Sequence, residues 1–163
     1  MFAFKTIIWG TIFSFAALIA GPFIAMQFEQ SFPAIDLEIF RYIGIILMAF
    51  SIPIAIYCAA IIILPSKNKP RLYHSEELLI ISGPYKFVRN PFMLAIMVSV
   101  WGESIYMSET AMFAYAFIFS WCLHFWVVFF EEPSLKESFK GDYLNYSEEV
   151  PRWIPSLKEY RLD

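Results

Sequence analysis

Glu131 and Glu132 stand side by side directly after 21 residues without a charge, 110–130. Two carboxylates at the end of an apolar helix face the negative end of its dipole. A cationic or hydroxyl-rich ligand would offset that cost, and so would solvation at an interface. Arg89, in "VRNPF", is their natural counter-charge, although an arginine at the end of a membrane span also snorkels to headgroups with no further role. His124 lies seven residues before Glu131, two helical turns away on the same face. Inside an apolar run it can be a base, a ligand for a polar substrate group or a partner in an inter-helix hydrogen bond, and these remain open. Glu103 falls near the outer end of an apolar run and reads as solvated. There is no HExxH, no GxSxG, no glycine-rich phosphate loop and no GxGxxG, so hydrolase, kinase and hydride-transfer chemistry have no motif behind them. Cys58 and Cys122 lie in apolar runs without CxxC or Cys/His spacing, which reads as free buried thiols, and no metal site is expected.

The elements that must position these groups are long apolar helices. Hydrophobic residues make up 59% of the 163-residue chain and charged residues only 17%, too oily for an ordinary soluble domain. The net charge of −3 offers no basic face, so no nucleic-acid partner is expected. Residues 6–28, 42–66 and 110–130 are uncharged, and each run reaches the roughly 20 residues that cross a bilayer. A fourth run, 92–107, is interrupted by Glu103 and becomes long enough if its helix begins near 88. The first run is too long for the apolar region of a signal peptide. The reading is one all-α membrane domain, 1–163, with four transmembrane helices at about 6–28, 42–64, 88–107 and 110–130. Lys67, Lys69, Arg71, Lys86 and Arg89 concentrate in the central loop. The positive-inside rule then puts that loop and both termini in the cytoplasm, with a bacterial inner membrane as the expected location.

The last two spans form a hairpin whose tip is "YMSET", so Arg89-Asn90-Pro91 should lie beside Glu131-Glu132. Asn90 suits a helix N-cap and Pro91 the first helical position. Pro22 and Pro53 fall within spans and read as packing kinks. The short run 78–81, stopped by Gly-Pro, reads as an extended segment against the membrane face. Leu135, Phe139, Tyr143 and Tyr146 recur at helical spacing after Pro133, giving an amphipathic cytoplasmic helix ended by Pro151 and Pro155. It reads either as a lid over the site or as an interfacial anchor.

"ELLIISGPYKFVRNPF", a following span with Gly102, and "EEPSLKESFKGDYLNYSEEVPRWIP" together resemble the membrane methyltransferases that include isoprenylcysteine carboxyl methyltransferase, with phospholipid N-methyltransferases as relatives. The resemblance covers residues 77–155, about half the chain. It implies S-adenosyl-L-methionine as cofactor, bound at the cytoplasmic face, and a lipophilic or lipid acceptor reaching it from the bilayer. Carried over by position, Glu77, Leu78, Leu79 and Ile80 would line the cofactor's edge. Tyr85, Asn90, Pro91, Phe92 and Met93 would continue that wall. Glu131 would take polar groups of the cofactor, with Glu132 supporting it. Arg89 would orient the cofactor or a substrate carboxylate, and His124 could act as base.

The chain departs from the family pattern at several positions. Asn90 replaces a histidine, Met93 a tyrosine and Ala95 a glycine, although Arg-Asn-Pro also occurs in bacterial members. Val127 stands where the isoprenylcysteine enzymes use an arginine for their substrate's carboxylate, which argues against that substrate. Gly141 falls one place late, leaving Lys140 at the glycine position, a change expected to be minor. A non-catalytic membrane protein of the same fold, binding a lipid or protein partner, is the alternative. A small transporter would need ionisable pairs near mid-membrane, and the charges here crowd one face.

Overall fold

The computed structural model describes residues 11–32, 38–64, 71–74 and 77–161, with the backbone alone at 38, 71–74, 77 and 78. The start of the expected first span (6–10), Asp36, and the linker residues 65–70 with Lys67 and Lys69 lie outside the described residues. Five helices are seen: α1 (Thr11–Met26), α2 (Arg41–Ile63), α3 (Pro91–Met107), α4 (Thr110–Trp126) and α5 (Glu132–Glu149). The helical class expected of the chain holds, with one addition. The apolar run after residue 76 is extended as expected, and it forms strand β2 (Glu77–Ile80), antiparallel to β1 (Arg71–His74), with Arg71 opposite Ile80 and His74 opposite Glu77. A four-residue extended segment needs a partner for its backbone, and β1 supplies it.

Among the described residues, two helices are long and apolar enough to cross a membrane: α2, and the 40-residue helix Thr110–Glu149 that α4 and α5 make together. The helices α1 and α3 are shorter apolar helices. The expected start of the third span near residue 88 is corrected, because Gly83–Lys86 is a 3-10 turn and Pro91 opens α3, leaving 17 residues. Only 22% of the most apolar window of α2 and 17% of that of α4–α5 are buried. Side chains such as Phe50, Ile56, Trp121 and Phe129 therefore face outward. A core helix of a water-soluble protein would hide that face; this one suits hydrocarbon. Cys122 lies on the exposed face of α4, against the expectation of burial, whereas Cys58 is buried.

The helices α2 and α3 pack through small residues. A Cβ on Gly44 would strike the Gly102 carbonyl, and one on Gly102 would come within 2.9 Å of the Gly44 carbonyl, so the two backbones touch at this crossing. Two turns along α2, the buried hydroxyls of Ser51 and Ser99 hydrogen-bond at 2.7 Å. Close backbone approach through small and hydroxyl residues is how helices associate where burial in hydrocarbon gives no driving force. At the hairpin, Ser108 ends α3 in the left-handed region (φ 57°), and Ser104 Oγ donates to the Val100 and Met112 carbonyls, tying α3 to α4. Glu29 closes the same end of the molecule. Its carboxylate accepts from the backbone N–H groups of Thr110 (3.1 Å) and Ala111 (2.8 Å) and so caps the positive end of α4.

Two prolines inside helices are handled by one device. A proline ring collides with the carbonyl four residues back and brings no N–H of its own. A π-type turn, Ala16–Ala20, precedes Pro22, and another, Val127–Glu131, precedes Pro133. Each widened turn moves the blocked carbonyl aside. In α1 the carbonyl of Ala17 is taken instead by the Tyr115 hydroxyl at 2.9 Å, and Gly21 leaves room for that ring. Pro133 therefore does not start a separate tail helix, as expected from the sequence. It rides within a helix continuous with α4.

Within α5, Lys140 has φ 45° and ψ −117° and marks a kink, while no Cβ clash and no positive φ attend Gly141. The expectation that the displaced glycine is a minor loop change is corrected: the position joins two helical segments at a kink, in a conformation open mainly to glycine. Such a residue stores about 1–3 kcal/mol of strain. The Lys140→Gly substitution is expected to raise the thermal midpoint by a few degrees, and Gly141→Ala to leave it unchanged or higher. A lowered midpoint for Lys140→Gly would remove the strain assignment.

Candidate functional site

The antiparallel packing of α3 and α4 brings the two polar clusters together, as the sequence pattern implies. Arg89, at the foot of α3, places Nη1 3.2 Å from Oε1 of Glu132, at the start of α5. Arg152 reaches the same carboxylate from beyond α5, with Nε 2.6 Å from Oε1 and Nη2 2.8 Å from Oε2. Glu132 is buried, with 4% of its surface exposed. Burial pushes its carboxyl upward, but the Arg152 hydrogen bond and the charges of Arg89 and Arg152 more than compensate, and the carboxyl ends below the ordinary range.

Arg152 belongs to a strap, residues 151–160, that has no regular structure and folds back over the loop before α3. Arg89 N–H donates to the Pro151 carbonyl (2.9 Å), Ser156 N–H to Phe87 (2.8 Å) and Tyr160 N–H to Lys86 (3.1 Å). Lys86 Nζ pairs with Glu159 at 2.7 Å. Asn90 sits at the N-cap position of α3, but its side chain does not cap the helix. Its Nδ2 donates instead to the Arg152 carbonyl at 3.4 Å. Beneath the strap, Leu79, Ile81, Phe139, Tyr143, Tyr146, Val150 and Tyr160 form one buried cluster joining β2, α5 and the strap. The helical spacing of Phe139, Tyr143 and Tyr146 reports this buried face directly.

Between β2, the loop and α5 lies a cavity of about 140 Å³. Of the residues expected at the site, Leu79, Ile80, Tyr85, Arg89, Asn90 and Glu131 line it, joined by Ile62, Leu135, Tyr143 and Tyr146. Two buried polar atoms of these residues have no partner among the described residues: Oε2 of Glu131 and Nε of Arg89. Burial first, and then the charge of Glu132, raise the Glu131 carboxyl above its ordinary value. Burial likewise holds the Tyr85 phenol well above the usual range. The Tyr146 hydroxyl donates to the Tyr85 carbonyl at 2.6 Å, fixing the loop against α5.

Other expected site residues fall elsewhere. The side chains of Glu77 and Leu78 lie outside the described residues. Pro91 lines a separate apolar groove between α2 and α3, and Phe92 packs among Ala17, Ala55, Ala95 and Ile96. Met93 is half-buried in the first turn of α3 and lines neither the cavity nor the groove. His124 does not line the cavity; its Nδ1 accepts from the Trp153 indole N–H at 2.9 Å, and its ring lies among Trp121, Phe125 and Trp153. Val127, where the resembling enzymes carry arginine, is fully buried, with 0% exposed. Sequence reasoning missed Arg152, although it stands in the closing "VPRWIP"; a cation spaced one residue from each aromatic or proline gives no hint of which carboxylate it will meet.

A family model for phospholipid methyltransferases matches residues 39–142, well over half of the chain, and the chain belongs to that family. No curated protein and no solved structure matches it. Membership makes methyl transfer on membrane lipid-type substrates the general activity and agrees with the outward apolar faces of α2 and α4.

The buried Glu131 carboxyl generates a prediction about stability. Because its folded-state value is raised above the ordinary 4.5, its stabilising contribution is complete below that value and is lost as pH rises through the raised one. Glu131→Gln is expected to raise the thermal midpoint of the ligand-free protein at pH 8 and to leave it unchanged at pH 4. Equal midpoints at pH 8 would show that the charge is not buried unpaired.

Proposed function

We propose that the chain transfers a methyl group from S-adenosyl-L-methionine to a lipophilic acceptor at the cytoplasmic face of the membrane, with both termini on that side. One observation carries this reading: a carboxylate oxygen of Glu131 and a guanidinium N–H of Arg89, both buried and both without a partner among the described residues, belong to two residues that line the same small cavity. An unmet acceptor and an unmet donor of this kind complement a zwitterionic amino-acid group, an ammonium for Glu131 and a carboxylate for Arg89. The cavity is smaller than the roughly 300–1,000 Å³ usual for a whole bound cofactor. It suits the charged end of one, with the apolar wall of Leu79, Ile80 and Tyr85 beside it.

When bound, the cofactor supplies a methyl group already activated on a sulfonium, so in-line alignment and exclusion of water account for most of what a protein must add. Arg89 and Glu131 then orient; Glu132 holds Arg89; Asn90 and Tyr85 join the loop to the strap and to α5. His124, through its hydrogen bond to Trp153, holds the strap and is a positioning residue in this reading. The apolar groove of about 650 Å³ between α2 and α3 suits the hydrocarbon part of the acceptor. The buried Val127 leaves no place for an arginine directed at a prenylcysteine carboxylate, which favours acceptors of another class.

Calorimetric titration of the detergent-purified protein with S-adenosylhomocysteine tests the reading. One-to-one binding is expected, weakened at least tenfold by Glu131→Gln, about the worth of a charge-assisted hydrogen bond. In the wild type, affinity should fall as pH is lowered through the raised Glu131 value, since the carboxylate is the form that meets an ammonium; in Glu131→Gln this dependence should disappear. No binding by folded protein would sink the catalytic reading and leave the non-catalytic lipid- or partner-binding alternative.

A further inference from the structure

Two arginines compete for the Glu132 carboxylate, and the distances rank them. Arg152 takes both oxygens as a fork, at 2.6 and 2.8 Å, whereas Arg89 has a single, longer contact of 3.2 Å to the oxygen that Arg152 Nε already occupies. The Arg89 side chain is 11% exposed, and its Nε–H is buried with no acceptor among the described residues. A fork on a carboxylate is the strongest arrangement open to an arginine. Arg89 is within reach of it and does not have it.

We propose that Arg152 is a positioning residue that holds Glu132 in its own fork and thereby keeps Arg89 available to an anionic group of the ligand. With Arg152 absent, the buried carboxylate loses its larger counter-charge and turns to the nearest guanidinium. Arg89 then forms the fork itself, and the N–H that would have met the ligand is consumed within the protein. The strap is built to prevent this. The Pro151 carbonyl holds the Arg89 backbone and the Arg152 carbonyl holds Asn90, so the guanidinium of Arg152 arrives at Glu132 from a scaffold fixed to the same loop. Trp153, bonded to His124, secures the next residue. Arg152 lies beyond the stretch matched by the family model, which ends at residue 142. The inference rests on the reading that Arg89 meets a ligand carboxylate in this cavity.

The test titrates the full-length protein, in detergent, with two probes: S-adenosylhomocysteine, which carries the amino-acid carboxylate, and 5′-methylthioadenosine, which lacks it. Arg152→Gln is expected to weaken S-adenosylhomocysteine binding about tenfold or more and to leave methylthioadenosine binding unchanged. The double variant Glu132→Gln/Arg152→Gln is expected to recover most of the lost affinity, because the charge that captures Arg89 has gone. If Arg152→Gln does not fold, Arg152→Lys, which retains the charge but cannot form the fork, should show the same selective loss to a smaller degree. Equal weakening of both probes, no weakening, or a double variant worse than the single one would overturn the proposal and leave the cofactor site standing. Failure of the wild type to bind either probe would overturn the cofactor site and this inference with it.

Discussion

The Glu132 carboxylate is the fixed point of the molecule's polar end. A buried carboxylate is tolerated only where cations and hydrogen-bond donors surround it, and removing one partner of such a group costs several kcal/mol. Here the partners arrive from two distant parts of the chain, Arg89 from the loop before α3 and Arg152 from the strap after α5. The strap has no helix or sheet of its own to hold it in place, and the loop has only the 3-10 turn Gly83–Lys86. Each is held by the other through backbone hydrogen bonds and by the charge they share, and the apolar cluster of Leu79, Tyr143, Tyr146 and Tyr160 packs against them.

The carboxylate is delivered to this point by a departure from ideal helix geometry. A regular α-helix running from Thr110 would be stopped or sharply bent by Pro133. The π-type turn at Val127–Glu131 absorbs the ring and lets the helix continue. Glu131 and Glu132, as neighbours on a helix, point to different sides, one lining the cavity and one among the arginines. The same solution stands before Pro22, together with the Tyr115 hydroxyl on the spare carbonyl, whereas Pro53 sits within α2 without such a turn. Backbone groups left open in hydrocarbon are costly, and both sites answer that cost locally.

Much of this was legible in the residues. The uncharged runs give the helices, the hairpin tip makes α3 and α4 antiparallel, and that alone predicts that Arg89 approaches the Glu131-Glu132 pair. The spacing of Leu135, Phe139, Tyr143 and Tyr146 reports the buried face of α5. What stayed hidden depends on irregular backbone. Pro133 reads as a helix start because the widened turn before it has no sequence signature. Asn90 reads as a capping residue, and the strap takes its amide instead. Strand β1 is too short and polar to announce itself beside β2. The role of Arg152 is fixed only by where the strap turns back, which local periodicity does not encode. Lys140 is the opposite case: the sequence shows the glycine displaced by one, and only the backbone torsion shows that the displacement matters.

The contact between Gly44 and Gly102 has a mechanical meaning. Where two backbones touch, with no side chains between them to deform, the helices can swing about the contact but cannot separate there. Gly102 lies eleven positions along α3 from its start at Pro91, a lever of about 16 Å at 1.5 Å per residue. A swing of roughly four degrees about that contact carries the foot of α3, and Arg89 with it, by about 1 Å. A displacement of that size is enough to cost about a hundredfold in rate where alignment governs the reaction. The Ser51–Ser99 hydrogen bond sits part-way along the arm, on the side of the polar cavity. It acts as a stay on the lever, so a weak bond deep among apolar side chains governs the precision of a site it never touches.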